Sequence, residues 1–139
     1  MNFLIVGCGR VGVALAMRYA KAGHQVRVID EDEEASAHLG PDFKGSFTKG
    51  AGLDVELLRE CGVEDTDVLI AVTDGDNTNL VVAQIAREQF QVPCVVVRVF
   101  DPRRAEFYGT KGMNVVCPVA LTVDLMHGAV CNYSEEVAP

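Results

Sequence analysis

Residues 2–12 read NFLIVGCGRVG, an apolar run that leads directly into the glycine pattern G-x-G-x-x-G. The apolar part, residues 2–6, has the composition of a strand that is covered on both faces of a sheet. In such a pattern Gly7 permits the tight turn after the strand, Gly9 lets the backbone approach a pyrophosphate, and Gly12 lets the next helix pack closely. The stretch therefore predicts a strand–loop–helix unit that binds nucleotide phosphates at the helix N-terminus.

Short β-branched runs alternate with stretches of helical periodicity along the chain, which is the pattern of βαβ units and a parallel sheet. Strands are predicted at residues 2–6, 25–30, 44–48, 68–73, 94–99 and 114–117. Helices are predicted from the glycine loop to about residue 22, at 33–39, 54–61 and 77–89, from 102 onward, and at 119–130 before a polar tail at 132–139. The expected fold is α/β and Rossmann-type, a six-stranded parallel sheet with helices on both faces. Residues 1–118 are expected to form the nucleotide-binding domain, and residues 119–139 the last helix and tail.

An acidic residue, Asp30, ends the second predicted strand, 23 residues after Gly7. This is close to the offset of about 20 found in dinucleotide-binding folds. A carboxylate there accepts hydrogen bonds from the ribose hydroxyls and repels a 2′-phosphate. The pattern therefore favours NAD(H) or an adenosine nucleotide (ATP, ADP or AMP) over NADP, with Glu31 as a further candidate contact. A structural glycine loop followed by a solvated acidic run at 30–34 is the alternative interpretation.

Two side chains inside the glycine loop have more than one interpretation. Arg10 starts beside the expected phosphate site, where it can donate a charge-assisted hydrogen bond to a terminal phosphate or simply face solvent. Cys8 occupies a variable position of the motif and is expected to fill space in the packing. The alternative is a redox-sensing thiol whose pKa falls near the helix N-terminus.

The overall composition excludes several classes of partner. Lys and Arg total 12 against 20 Asp and Glu, a formal net charge of -8, which argues against binding to a nucleic-acid backbone. The sequence has no apolar run of 18 residues, so no membrane insertion is expected. The five cysteines lack metal-ligand spacing, which predicts no metal site and a reducing, cytosolic compartment.

Further motifs carry a resemblance to a known family. Residues 28–30 read VID, residues 57–67 read LLRECGVEDTD, and residues 73–77 read TDGDN. Residues 97–99 read VRV and are followed by Asp101-Pro102. Together with the glycine loop, these motifs resemble the RCK or KTN (TrkA-N) family, regulatory domains of potassium channels and of Trk/Ktr-type potassium transporters. The resemblance covers about residues 1–130.

The resemblance implies a set of nucleotide-binding positions. Those matched to the phosphate loop and the ribose acid are Gly7, Gly9, Arg10, Val11, Gly12 and Asp30. Those matched to the cleft edge after the fourth strand and to positions beside it are Thr73, Asp74, Asn79 and Arg98. The resemblance also implies Gly50 and Ala51 as adenine-side contacts. The chain departs from the family here, because the family often has G-D-x-T after the third strand and this chain reads GAGLD at residues 50–54, with the acid displaced. The alternative interpretations are a polar loop for residues 73–77, a helix-start residue for Asn79 and a salt-bridged strand end for Arg98. The place of Thr73 and Asp74 after a parallel strand favours the cleft interpretation for these two.

In the family the last helix crosses over to a neighbouring subunit and links dimers into a gating ring. Here Leu121, Leu125, Met126 and Val130 recur at helical spacing, an apolar stripe that also fits a helix facing its own domain. The family commonly adds a second, C-terminal ligand-binding lobe. This sequence ends at Pro139 without one, so a truncated or naturally short member is expected.

The function implied is a cytosolic nucleotide sensor that gates a potassium uptake system or channel. It would act as a homodimer within a higher-order ring, bound to a membrane ion-transport subunit and so peripheral to the inner face of the membrane. The alternatives are the NAD-binding domain of an oxidoreductase without its substrate part and the nucleotide sensor of a cation/proton exchanger. No catalytic group is predicted, because His24, His38 and His127 do not follow strands at the carboxyl edge of the sheet.

Overall fold

Six parallel strands form the central sheet in the computed structural model, which describes residues 1–137. The strands are β1 (Asn2–Val6), β2 (Gln25–Asp30), β3 (Ser46–Lys49), β4 (Val68–Ala71), β5 (Cys94–Arg98) and β6 (Asn114–Val116). Their order is β3-β2-β1-β4-β5-β6, and all five neighbouring pairs are parallel. The strand order reverses between β1 and β4, the point at which ligands bind in open α/β sheets. The predicted Rossmann-type sheet is confirmed.

Helices connect the strands. The α-helices are α1 (Arg10–Lys21), α2 (Val55–Glu60), α3 (Asp76–Gln84), α4 (Pro102–Thr110) and α5 (Pro118–Val137). Short 3₁₀ helices span Glu33–Leu39 and Val63–Asp65, and α3 continues as a π-helical segment over Ile85–Gln89. Aspartates cap two of the α-helices: Asp54 accepts hydrogen bonds from the N–H groups of Glu56 and Leu57, and Asp101 precedes the proline that opens α4.

Two apolar clusters cover the two faces of the sheet. Leu4 and Val6 of β1 belong to one cluster, whereas Phe3 and Ile5 belong to the other. Because side chains alternate along a strand, β1 is buried on both faces. This explains why its sequence is a continuous apolar run, and it confirms the prediction of helices on both faces.

Most predicted boundaries lie within one residue of the structure, and three differ by two residues or more. The fourth strand ends at Ala71 rather than residue 73, because side chains rather than a neighbouring strand bind the backbone of Thr73. β3 lies at Ser46–Lys49 rather than 44–48. The predicted polar tail is wrong over residues 132–137, because α5 continues to Val137 and neither glycine nor proline interrupts these positions. Residues 138–139 of that tail lie outside the described residues.

Candidate ligand-binding cleft

A cavity of about 520 Å³ opens beyond the carboxyl ends of β1, β2 and β4. We call it the cleft. It is lined by residues 6–10, 29–32, 35, 38, 50–53, 72–75 and 78. These residues come from five segments of the chain that meet at the switch point of the sheet, so the fold gathers them at the expected place for a ligand.

The three glycines of the loop have different surroundings. Gly7 has φ +116°, and a Cβ there would lie 2.6 Å from the Val72 carbonyl carbon. A Cβ on Gly12 would overlap the Gly7 carbonyl oxygen, whereas a Cβ on Gly9 would meet no atom within 4 Å. Gly7 and Gly12 are therefore required by the packing of the loop, and the space beside Gly9 is open to a ligand.

The N-terminus of α1 lies beside this open space, since Gly9 and Arg10 both line the cleft. Among the described residues no side chain caps the helix, and Gly9 is its N-cap. The first N–H groups of a helix, together with its dipole, attract a negative charge. Arg10 lies in the cleft lining and is exposed, so the one arginine of the lining stands next to the amides that would hold a phosphate.

Asp30 binds two backbone amides at the opposite side of the loop. Its Oδ2 accepts the N–H of Cys8 at 2.7 Å, and its Oδ1 accepts the N–H of Asp32 at 2.8 Å. A carboxylate has about four acceptor positions, so each oxygen can still accept a ribose hydroxyl. Asp30 thus braces the glycine loop and remains available to a ligand. The bracing contact was not part of the sequence prediction.

Cys8 is buried and packs against the 3₁₀ helix at Glu33–Leu39. Its side chain is 1% exposed, and its Sγ donates to the Ala35 carbonyl oxygen at 3.4 Å. Burial raises the pKa of the Cys8 thiol, and the nearby Asp30 carboxylate raises it further. The structure therefore supports the packing interpretation of Cys8 and opposes an activated, low-pKa thiol.

Two short segments form the remaining wall of the cleft. Gly50 and Ala51 lie on one of them with Gly52 and Leu53, and Leu53 is 46% exposed. The 3₁₀ helix after β2 contributes Ala35 and His38. His38 was not among the predicted site residues. The signal that could have found it is its place in the segment after β2, which borders the cleft in this fold.

Asn79 organises the backbone after β4 without reaching the cleft. It is fully buried, its Oδ1 accepts the Thr73 N–H at 2.8 Å, and its Nδ2 donates to the carbonyl oxygens of Thr73 and Arg98 at 2.9 and 3.0 Å. These bonds fix Thr73 and Asp74 at the cleft edge, where both line the cavity.

Arg98 lies behind the same loop. Its Nη2 donates to the carbonyl oxygens of Val72 and Thr73 at 3.0 and 3.1 Å. The Asp74 carboxylate is 3.9 Å from the same nitrogen, and the guanidinium stacks over the Phe100 ring at 4.6 Å. The guanidinium therefore holds the loop from below the cleft.

The structure brings nine of the thirteen predicted positions into the cleft lining. They are Gly7, Gly9, Arg10, Asp30, Glu31, Gly50, Ala51, Thr73 and Asp74. The other four lie outside the lining: Val11, Gly12, Asn79 and Arg98. Gly12, Asn79 and Arg98 pack or bind the loops that form the cleft, and Val11 is 44% exposed on α1.

The last helix, α5, is exposed along most of its described length. None of its described residues is buried, and Leu125, Met126 and Tyr133 are 75%, 67% and 65% exposed. An unshielded apolar helix of 20 residues is typical of an interaction surface. Within residues 1–137 no helix combines the length and hydropathy needed to cross a bilayer, and no three His, Cys, Asp or Glu side chains of this part cluster as metal ligands.

Comparison with known proteins gives one matching family and several relatives. The family model of the TrkA-N domain matches residues 3–118. The Trk system potassium uptake protein TrkA of Streptomyces coelicolor is 45% identical over 126 residues, which are 91% of this chain and 56% of that protein. The TrkA homolog of Methanothermobacter thermautotrophicus is 31% identical over 116 residues, 84% of this chain and 53% of that protein. The chain thus spans about half the length of these two relatives.

Solved structures share the fold. The Kef CTD of Shewanella denitrificans in its AMP-bound form superposes with a TM-score of 0.78 at 20% identity, covering 96% of this chain and 82% of that chain. The GsuK channel bound to NAD superposes with a TM-score of 0.70 at 22% identity, covering 84% of this chain and 21% of that chain.

Proposed function

The chain belongs to the TrkA-N domain family, and on this premise we propose that it is a nucleotide-sensing regulatory domain of a potassium transport system. Residues 1–118 bind an adenosine nucleotide, and residues 119–139 assemble copies of the chain. The domain works without catalysis, on the cytosolic side of the membrane, by changing the arrangement of an oligomer attached to an ion-transport subunit. The names of its curated relatives support the transport role.

The open space beside Gly9 is the observation that carries the nucleotide proposal. It lies between the uncapped N-terminus of α1 and the carboxylate of Asp30, both at the switch point of the sheet. A phosphate fits the first amides of the helix, and a ribose fits a carboxylate acceptor on the next strand. The two groups therefore match the phosphate and the ribose of an adenosine nucleotide in chemistry and lie in one cavity.

The charge of the cleft favours a ligand with few phosphate charges. Its lining contains four carboxylates, Asp30, Glu31, Asp32 and Asp74, against one arginine, Arg10. Like charges at short range disfavour each other even when partly solvated. We therefore rank NAD⁺ and AMP above ATP, and all of them above NADP⁺, whose 2′-phosphate would meet Asp30. The ligands of the Kef and GsuK structures are AMP in the first and NAD or ADP in the second, so none of them carries a triphosphate or a 2′-phosphate.

The exposure of α5 supports assembly with further copies of the chain. Its large apolar side chains would be covered in a homodimer, and dimers would associate into a ring around the transport subunit. A nucleotide that binds one arrangement of the dimer better than another shifts the population toward that arrangement. This is the step by which occupancy of the cleft would regulate ion movement.

The test is a thermal-shift series with NAD⁺, NADP⁺, AMP, ADP and ATP on the whole chain. A ligand at 100 times its dissociation constant stabilises the folded state by about 2.7 kcal/mol. We expect NAD⁺ or AMP to raise the melting temperature by several degrees and NADP⁺ to raise it least. Equal shifts with NAD⁺ and NADP⁺ would contradict the role of Asp30. The absence of any shift would contradict nucleotide binding, and hydride transfer from NADH to a substrate would favour the oxidoreductase alternative.

A further inference from the structure

Phe100 is held on three sides at the junction between β5 and α4. Its backbone N–H donates to Asp76 Oδ1 at 2.7 Å. Its ring lies under the guanidinium of Arg98, 4.6 Å from ring centroid to Cζ. Its carbonyl oxygen faces the Sγ of Cys117 at 3.6 Å. Phe100 thus contacts the first residue of α3, the end of β5 and the residue that precedes α5.

The first of these contacts leads to the cleft. Asp76 uses both carboxylate oxygens on the same segment, because Oδ2 accepts the N–H of Asp101 at 3.0 Å. Asp76 directly follows Gly75, and Gly75 and Thr78 line the cleft. The Asp76 side chain is outside that lining. Asp76 is therefore connected to the cleft through the backbone of Gly75 and not through a ligand contact.

The second contact leads to the same loop by another route. The Arg98 guanidinium under which the Phe100 ring packs also binds the carbonyl oxygens of Val72 and Thr73. Its Nε is buried without a hydrogen-bond partner among the described residues. The guanidinium is therefore held by its other hydrogen bonds and by packing on the Phe100 ring. Through it, a displacement of the Thr73 carbonyl oxygen would displace the Phe100 ring.

The third contact leads to the last helix. Cys117 is the residue before Pro118, where α5 begins, and its carbonyl oxygen accepts the Leu121 N–H at 3.1 Å in the first turn. The N–H of Val99 also donates to the carbonyl oxygen of Val116 at 3.0 Å. The base of α5 is therefore bonded to the same short segment, residues 99–101, that Asp76 holds from the cleft side.

We propose that Asp76 and Phe100 are positioning residues that couple occupancy of the cleft to the direction in which α5 leaves the domain. This inference rests on the proposed function, since it supposes that a nucleotide binds in the cleft and that α5 mediates assembly. A ligand that moves the loop at residues 73–75 moves Asp76 with it. Asp76 then shifts the backbone of Phe100 and so the base of α5.

Such coupling has a thermodynamic signature. If nucleotide changes the self-association constant of the chain by some factor, self-association changes the nucleotide affinity by the same factor. In a variant that breaks the connection between the two sites, nucleotide no longer changes the self-association constant, so the factor approaches one. The nucleotide affinity of the monomer and the self-association constant without nucleotide stay unchanged. A residue that only stabilised the fold would not have this effect.

The experiment compares wild type with Asp76→Asn. The asparagine amide has the same shape as the carboxylate, but it has only one acceptor oxygen. Its NH₂ group would face a backbone N–H, so one of the two hydrogen bonds to Phe100 and Asp101 is lost. The self-association constant is measured by sedimentation equilibrium with and without saturating NAD⁺. Nucleotide affinity is measured by calorimetry at a protein concentration where the chain is monomeric. We expect the wild-type factor to be five or more, and the Asp76→Asn factor to be below two with the monomer affinity for NAD⁺ unchanged within twofold.

Asp67→Asn is the matched control. Asp67 Oδ2 also accepts a backbone N–H, that of Asn2 at 2.7 Å, but it lies at the amino ends of the strands, away from the cleft and from α5. This variant should keep the wild-type factor. Phe100→Leu is the second variant, since it removes the ring from Arg98 and keeps the backbone bonds, and its factor should also fall.

The outcomes separate the coupling from the proposed function. If Asp76→Asn and Phe100→Leu both keep the full wild-type factor, the coupling route is wrong and the nucleotide-sensing function stands. If wild type binds no NAD⁺, or its self-association does not respond to NAD⁺, the proposed function fails and the coupling fails with it. If the factor falls equally in Asp67→Asn, the proposed coupling through Asp76 and Phe100 is also wrong, because the effect would then come from a general loss of fold stability.

Discussion

The carboxylate of Asp30 accepts the backbone N–H of Cys8 at 2.7 Å, so the acid that would bind a ribose also holds the glycine loop. The loop is further fixed by the Gly7 N–H, which donates to the Ile29 carbonyl oxygen at 2.8 Å. The phosphate and ribose sides of the cleft are therefore connected before any ligand arrives. This connection means that substitutions at Asp30 affect stability as well as binding.

Asp30→Ala should lower both the stability of the fold and its affinity for NAD⁺. The N–H groups of Cys8 and Asp32 lose their acceptor, and an unsatisfied, partly buried amide costs about 1–3 kcal/mol. Urea unfolding measures the loss of stability. Asp30→Asn, which retains one acceptor oxygen, should lie between Asp30→Ala and wild type. An Asp30→Ala variant as stable as wild type would show that the bracing contact contributes nothing.

Gly12→Ala should destabilise the fold strongly, whereas Gly9→Ala should not. The added methyl at Gly12 would overlap the Gly7 carbonyl oxygen, and the one at Gly9 meets nothing within 4 Å. Overpacking against a backbone atom costs about 1–3 kcal/mol or more, and an unobstructed surface change stays within about 0.5 kcal/mol. Denaturation midpoints of the two variants test this directly. Similar midpoints would contradict the assignment of Gly12 to packing and of Gly9 to the ligand.

The stability of the domain should fall at alkaline pH through Cys8. Because burial and then Asp30 raise the pKa of this thiol in the folded state, the unfolded chain releases the proton first, above about pH 8.5. The contribution is fully present below the unfolded pKa and is lost as pH rises through the raised folded pKa. Urea midpoints of wild type should thus fall more steeply between pH 8 and 10 than those of Cys8→Ala. Parallel pH profiles would contradict this prediction.

Met126→Glu should weaken self-association without unfolding the domain. Met126 is 67% exposed and belongs to a helix with no buried described residue. The glutamate carboxylate therefore leaves the fold of the domain unaffected and destabilises only an interface in which a partner covers this position. Asp124→Asn is the matched control, because two residues along a helix are about 200° apart and Asp124 lies on the opposite side. Sedimentation velocity should show a smaller species for Met126→Glu alone. An unchanged distribution for Met126→Glu would exclude this face of α5 from the interface.

Local patterns in the sequence were enough to predict the sheet and the glycine loop. Periodicity separates strands from helices, and the run at residues 2–6 followed by Gly7 marks the first βα turn. The glycine pattern and the acidic end of the second strand were enough to predict the lining positions Gly7, Gly9, Arg10, Asp30 and Glu31. The other four, Gly50, Ala51, Thr73 and Asp74, were implied by the family resemblance.

The roles of Asn79, Arg98 and Asp76 could not be predicted in the same way. The side chain of each residue forms a hydrogen bond with a backbone group about 20 or more residues away in sequence. No local pattern in the sequence encodes such pairings. The length of α5 was also missed, because its polar end at residues 132–137 has the composition of a tail. The helix continues there because nothing in the sequence stops it.

Calorimetric titration of NAD⁺ into wild type, Gly9→Ala and Gly109→Ala tests the nucleotide cleft most directly. A methyl at either glycine meets no atom within 4 Å, but only Gly9 lies in the cleft, where the methyl would keep a pyrophosphate away from the backbone. We predict that wild type and Gly109→Ala bind NAD⁺ equally and that Gly9→Ala binds at least tenfold more weakly with an unchanged melting temperature. Equal affinity in all three, or no binding to wild type, would contradict a nucleotide site at the glycine loop.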